Sequence, residues 1–192
     1  MSLALRALET LLMISAPFAV YFLFISKGYH SAFLFVVAIM FLIRAPRILK
    51  NRRLTKSLAI QVALIGGYIV FGMVYPEIIV VELLPAFINT VLFFLFGYSY
   101  LYPPSMVEGF AQVYSERPLA PEEIVHCRRV TLIWMIFFIV DMVAIVYVAF
   151  FMTVLDWAIL TGVINYAIMG SLFAGEYIYR KIRFRHLMSK GA

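Results

Sequence analysis

Residues 128–152 read RRVTLIWMIFFIVDMVAIVYVAFFM. Two arginines stand at one edge, and from Val130 to Met152 the only charged side chain is Asp141. About 20 mostly apolar residues in helical form cross the hydrocarbon of a bilayer. Backbone polar groups find no water there, so a run of this kind folds as helix. The stretch therefore predicts a transmembrane helix anchored at one end by Arg128 and Arg129.

Runs of the same kind lie outward from it, at about 8–26, 29–43, 57–75, 78–101 and 156–179. The 192 residues are 65% hydrophobic and 14% charged, far from the roughly 45–50% apolar, 25% charged mix of soluble domains. The longest polar interval, 102–129, is too short to bury a core of its own. The prediction is one all-α transmembrane domain over 1–192, six helices arranged as three hairpins. The first run reads as a retained helix, since no small-residue cleavage site follows Tyr21–Ile25. The run 29–43 is short for a span. It either crosses with the stems of Arg44 and Arg47 snorkelling, or forms a re-entrant hairpin with the first.

The charges favour a crossing. Of the 16 Lys and Arg residues, only Lys27 falls in the loops near 26–30, 75–77 and 152–156. The others are Arg6, the 44–56 cluster (Arg44, Arg47, Lys50, Arg52, Arg53, Lys56), Arg117, Arg128 and Arg129 before the fifth span, and Arg180, Lys181, Arg183, Arg185 and Lys190 in the tail. By the positive-inside rule both termini and both long loops are expected in the cytoplasm. Without the second span the 44–56 cluster would lie outside. Cys127, the single cysteine, allows no internal disulfide and sits on the reducing side. Arg52-Arg53-Leu54-Thr55 and Arg128-Arg129-Val130-Thr131 share a pattern. An internal hairpin repeat would give this, and so would the usual basic flank of a cytoplasmic helix start.

The 102–129 loop is ordered by its own residues. Tyr102-Pro103-Pro104 ends the fourth helix, because Pro lacks an N–H and biases its predecessor to extended geometry. Ser105-Met106-Val107-Glu108 fits a capping box. The helix it starts carries Met106, Val107, Phe110 and Val113 on one face, as an interfacial helix would. Pro121-Glu122-Glu123 signals a second start, continuing through Cys127-Arg128-Arg129 into the fifth span. The loop reads as a stiff interfacial linker or as a platform over a cytoplasmic site. The 44–56 cluster wraps its segment, and its natural partner is anionic lipid, at about 1 kcal/mol per basic residue; topology determination alone explains it equally. Nucleic acid is a poor reading and no such partner is expected, since the basic residues are divided among membrane-flanking segments with no soluble module to present them.

Five polar residues fall inside spans: Glu82, Asn89, Asp141, Asn165 and Glu176. At 1.5 Å rise per residue, Asp141 lies about 16 Å from the inner end of its span, Asn165 about 13 Å and Asn89 about 16–18 Å from the outer ends of theirs. These three are expected near the midplane, where they could converge. Glu82 is shallower on the outer side, and Glu176 lies one turn from Arg180. The set reads as interhelical hydrogen-bonding glue or as a relay or substrate site. The lack of an intramembrane Lys, Arg or His favours glue. Small residues at Ala167, Gly170, Ser171, Ala174 and Gly175 predict a close helix contact, within the chain or across a homodimer.

Enzymatic readings fare worse. There is no Asp cluster to hold Mg²⁺ against a diphosphate. His30, His126 and His186 lie far apart with no Cys or Glu at metal spacing, so neither a metal nor a cofactor is expected. Gly66-Gly67 reads as close helix packing. His126-Cys127 makes a poor nucleophile pair, because helix neighbours point apart.

Pro104-Ser105-Met106-Val107-Glu108, Cys127-Arg128-Arg129-Val130-Thr131 with Trp134 and Phe137-Phe138, and Gly170–Tyr177 with Arg180 together resemble an uncharacterised family of small bacterial inner-membrane proteins. Its members are often encoded among fatty-acyl and aryl-polyene biosynthesis genes, and it looks distantly similar to the intracellular septation protein A family. The resemblance covers about residues 103–180. It implies an inner-membrane location and a cytoplasmic surface built from Ser105–Glu108, Arg128–Thr131 and Glu176–Arg180, with no activity to carry over. Asp141-Met142 stands where the family pattern has Asn-Gly, and Leu160-Thr161-Gly162 where it has Tyr-Asn-Gly. An amide at 141 cannot titrate, which argues against proton carriage there.

The expected function is that of a non-enzymatic accessory or scaffold protein. Its basic cytoplasmic face would engage anionic lipid or a membrane-bound acyl-lipid or envelope-biosynthesis partner, with Glu108, Arg128, Arg129, Glu176 and Arg180 as one charged network holding the loop to the bundle. The alternatives are a small transporter or flippase of a lipid-like substrate using Glu82, Asn89, Asp141 and Asn165, and, least supported, an enzyme acting on a lipid-linked substrate.

Overall fold

The computed structural model describes residues 55–183 apart from 76, 114 and 116. They form α1 (Thr55–Val74), α2 (Ile78–Leu101), α3 (Met106–Val113), α4 (Pro121–Phe151), α5 (Val154–Ile159), a π-helical turn (Leu160–Ile164) and α6 (Asn165–Arg183). No strand occurs among the described residues. Three stretches are long and apolar enough to cross a membrane: α2, α4 and the continuous Val154–Arg183. α1 adds a shorter apolar stretch, Ala63–Val74. The expected spans 8–26 and 29–43 lie outside the described residues, as do Arg44, Arg47, Lys50, Arg52 and Arg53. Of Lys56 only its place in α1 is described.

Local chemistry sets the helix ends. α2 stops at Leu101, just before Tyr102-Pro103-Pro104. α3 starts on the expected capping box: the Glu108 N–H donates to Ser105 Oγ (3.4 Å) and the Ser105 N–H to Glu108 Oε2 (3.1 Å). α4 starts with Pro121, and the Glu123 carboxylate accepts from the Ala120 N–H at 2.9 Å. Its 31 residues span about 46 Å at 1.5 Å per residue, against roughly 30 Å of hydrocarbon. Its long apolar run begins at Val130, after Arg128 and Arg129. Thr153 and Asp156 cap α5 reciprocally.

The helices run antiparallel in sequence. Along α4 the positions Cys127, Trp134 and Asp141 meet Arg180, Phe173 and Asn165. On the other flank Phe138 meets Phe96 and Asp141 meets Asn89. The buried residues of α4 (Glu123, Cys127, Val130, Thr131, Trp134, Phe138, Asp141, Ile145, Val148) recur at steps of three and four, forming one seam. Its other faces stay apolar and exposed, as at Ile136 (56%) and Val140 (62%). Exposed apolar surface on this scale suits lipid rather than water.

The interior has three layers. One apolar cluster gathers Val81, Ala86, Ile145, Val148, Trp157 and Ala158. Another gathers Val130, Trp134 and Phe138 against Phe96, Val107 and Leu172. Between them, on all three long helices, lie Asn89, Asp141 and Asn165.

The π turn makes this layering possible. Trp157 donates its indole N–H to the Glu82 carbonyl (2.9 Å), and Asn165, eight residues on, hydrogen-bonds Asp141. In regular helix eight residues leave two side chains about 80° out of phase, whereas seven leave them within about 20°. One wide turn absorbs the extra residue, so both face the bundle.

Two packing expectations find no partner among the described residues. A Cβ on Gly67 would meet nothing within 4 Å, so this glycine serves no close approach among the described residues. The small residues of α6 are exposed, with open space at Gly170 and Gly175, so no described helix packs on that stripe.

Candidate functional site

The polar groups fall into two sites: the middle layer and the basic end. In the middle layer the Asn89 Nδ2 donates to Asp141 Oδ2 at 2.7 Å, and Asp141 also hydrogen-bonds Asn165. All three are more than nine-tenths buried. The depth arithmetic thus locates a real convergence. Glu82 does not join it. It is buried beside the Val81–Trp157 apolar cluster, where its backbone carbonyl takes the Trp157 indole, and no described residue hydrogen-bonds its carboxyl. A closed Asn–Asp–Asn tie holds three helices together.

At the basic end the expected single network divides into separate units. Ser105 and Glu108 bond each other, and Ser99 Oγ accepts from the Met106 N–H at 3.0 Å, tying α3 to α2. Val107 packs against Val130 and Trp134, while Phe110 and Val113 stay exposed as an interfacial helix requires. Arg128 lies 4.7 Å over the Tyr100 ring, a cation–π contact. Glu176 sits 3.7 Å from both Arg180 Nε and His126 Nε2. Arg180 Nη2 also donates to Cys127 Sγ at 3.3 Å. Among the described residues no ion pair joins Glu108 to Arg128 or Arg129. Packing decides the split: Arg128 and Arg129 are exposed and point off the seam that buries Cys127.

The loop is held by contacts the sequence reading did not foresee. Glu123, 4% exposed, accepts from Arg117 Nη1 at 3.0 Å as well as from the Ala120 N–H. The Gln112 side chain bridges to Arg117 O and the Leu119 N–H. The Glu at the third position of α4 was the available signal, read only as a helix start.

His126 and Cys127 contact different members of one ion pair, Glu176 and Arg180 respectively. Burial holds the His126 imidazole below the usual histidine range, against the pull of Glu176. Burial likewise pushes the Cys127 thiol up, against Arg180. A buried protonated thiol is inert, so the pair offers no nucleophile.

Between the start of α4 and the end of α6 lies an open groove of about 390 Å³. Its lining is Pro121, Glu122, Val125, His126 and Arg129 from α4 and Tyr179 and Arg183 from α6. The His126 and Tyr179 rings stack at 4.9 Å to form its wall. No group of three His, Cys, Asp or Glu side chains disposed to hold a metal occurs among the described residues. Comparison with protein-family models, curated proteins and solved structures finds no match to this chain.

Proposed function

We propose that this chain is a multi-pass accessory protein of the bacterial inner membrane, with six spans and both termini in the cytoplasm. Its basic end engages anionic lipid or a membrane-bound partner of acyl-lipid or envelope biosynthesis. One observation carries the reading: charge is segregated along the bundle axis. Arg117, Arg128, Arg129, Arg180, Lys181 and Arg183 gather at one end, whereas the turns at the other end carry Glu77 and Asp156 and no described cation. Such a distribution orients a protein in a membrane and attracts an anionic leaflet. The Asn89–Asp141–Asn165 layer is satisfied within itself, which supports a structural tie over a transport path.

The test is the lipid that travels with the purified protein. Extraction in mild detergent followed by lipid mass spectrometry is expected to show anionic lipid enriched over its share of the source membrane. Retained lipid that mirrors bulk composition would remove the support for this reading.

A further inference from the structure

Five arginines are described, and three of them are engaged within the fold. Arg117 pairs with Glu123, Arg128 lies over the Tyr100 ring, and Arg180 reaches Glu176 and Cys127. The other two, Arg129 of α4 and Arg183 of α6, are exposed, and neither is ion-paired to a described carboxylate. Both line the open groove of about 390 Å³. His126 lines it too, its ring fixed by stacking on Tyr179 at 19° from parallel. Burial is the largest influence on the charge of that ring and keeps it neutral at about pH 7. Glu176, 3.7 Å from Nε2, favours the imidazolium, while Arg180 and Arg129 oppose it. Of the other titratable neighbours, Cys127 is buried in the seam, Tyr179 is the stacking partner, and Glu122 and Arg183 line the groove.

With the ring neutral, two guanidiniums against Glu122 leave the groove a single positive charge. That balances a monoanion. A dianion needs one charge more, and His126 is the group in the lining that can supply it near neutral pH. We propose that the groove binds a phosphate monoester through Arg129 and Arg183, and that His126 takes up one proton from solvent as the dianion enters. Each guanidinium presents forked donors that fit phosphate oxygens. A phosphate monoester carries close to two negative charges at neutral pH, and a negative charge beside a histidine favours its protonated form. The volume is that of a small-molecule site rather than of a single ion, which leaves room for the group that bears the phosphate. A soluble phosphate ester and a lipid headgroup share this chemistry. The inference deepens the reading of the basic end proposed above and rests on that end being the working face.

The experiment titrates the full-length protein in mild detergent with sodium sulfate, at constant ionic strength, by isothermal calorimetry. Sulfate stays a dianion throughout the histidine range, so any pH dependence belongs to the protein. Wild type is expected to bind it about five- to tenfold more tightly at pH about 6 than at about 8, the linkage of one proton to binding. His126→Gln should bind as wild type does at the higher pH and lose the dependence. Arg129→Gln/Arg183→Gln should weaken binding about tenfold or more at both, the loss of two charged donors. Both arginines are exposed and make no described ion pair, so loss of fold does not mimic loss of binding. A flat profile in wild type, or a slope that survives His126→Gln, would overturn the proton linkage. Binding unchanged in the double variant would overturn the site. Glycerol 3-phosphate and dioleoyl phosphatidic acid then compete with sulfate. Displacement by both at similar concentration supports a soluble phosphate ester, and displacement by the lipid at far lower concentration supports a headgroup; displacement by neither would overturn the phosphate assignment. Retained lipid is a separate measurement, so this site and the reading above can fail independently.

Discussion

Asp141 accepts from Asn89 and hydrogen-bonds Asn165 at a point where α2, α4 and α6 meet. Replacing it by Leu strands two amides in an apolar interior. The expected loss is about 1–3 kcal/mol, toward the lower end because membrane hydrogen bonds average roughly 0.6 kcal/mol in double-mutant cycles. Asp141→Asn keeps a partner for both amides and is expected to cost about 1 kcal/mol or less. Denaturation in mixed micelles measures both; a stable Leu variant beside a crippled Asn variant would mean that the carboxyl acts by titrating. Legibility at this scale follows cost. Asn89, Asp141 and Asn165 stand out because polar groups are expensive in a bilayer, and depth arithmetic brings them to one level. The contacts of His126 and Tyr179 were not legible, because they depend on which helix faces which. Glu108 and Arg128 were joined on paper by charge alone, and the helix faces separate them.

The helix starts at Ser105 and Pro121 were legible because capping is local chemistry, decided within four residues. The seam of α4 was not. Lipid-facing and core-facing positions are equally apolar, so burial leaves no amphipathic period to read. Nor does any composition mark the π turn; its reason lies in the distance between Trp157 and Asn165. That origin makes a prediction about deletions. Removing exposed Val163 should convert the turn to regular helix and keep both the Trp157–Glu82 and Asn165–Asp141 contacts, with thermal stability close to wild type. Removing exposed Ile168 from the regular part of α6 should rotate Tyr179 and Arg183 by about 100° relative to Asn165 and lower stability clearly. Equal damage from the two deletions would refute the phase argument.

Across the whole molecule, the membrane class was legible from composition and run length, because both reflect the thickness of a bilayer. The described helices supply three such stretches, and the 44–56 cluster and first two expected spans lie outside the description. The groove was legible only in part: Arg129 belongs to a noticed motif, while Tyr179 and Arg183 enter through the antiparallel pairing of α4 and α6, which joins residues 50 or more positions apart in sequence. Every functional statement depends on which way the basic end points. The decisive measurement is therefore sidedness. With Cys127 replaced by Ala, which removes the chain's single thiol, one cysteine is placed at Leu119 beside the basic end and, separately, at exposed Leu155 in the opposite turn. A membrane-impermeant maleimide is then applied to intact spheroplasts and to inverted vesicles. The predicted result is labelling of position 155 only in spheroplasts and of position 119 only in inverted vesicles. Labelling of position 119 from outside, or of both positions from one side, would contradict a basic end that faces the cytoplasm.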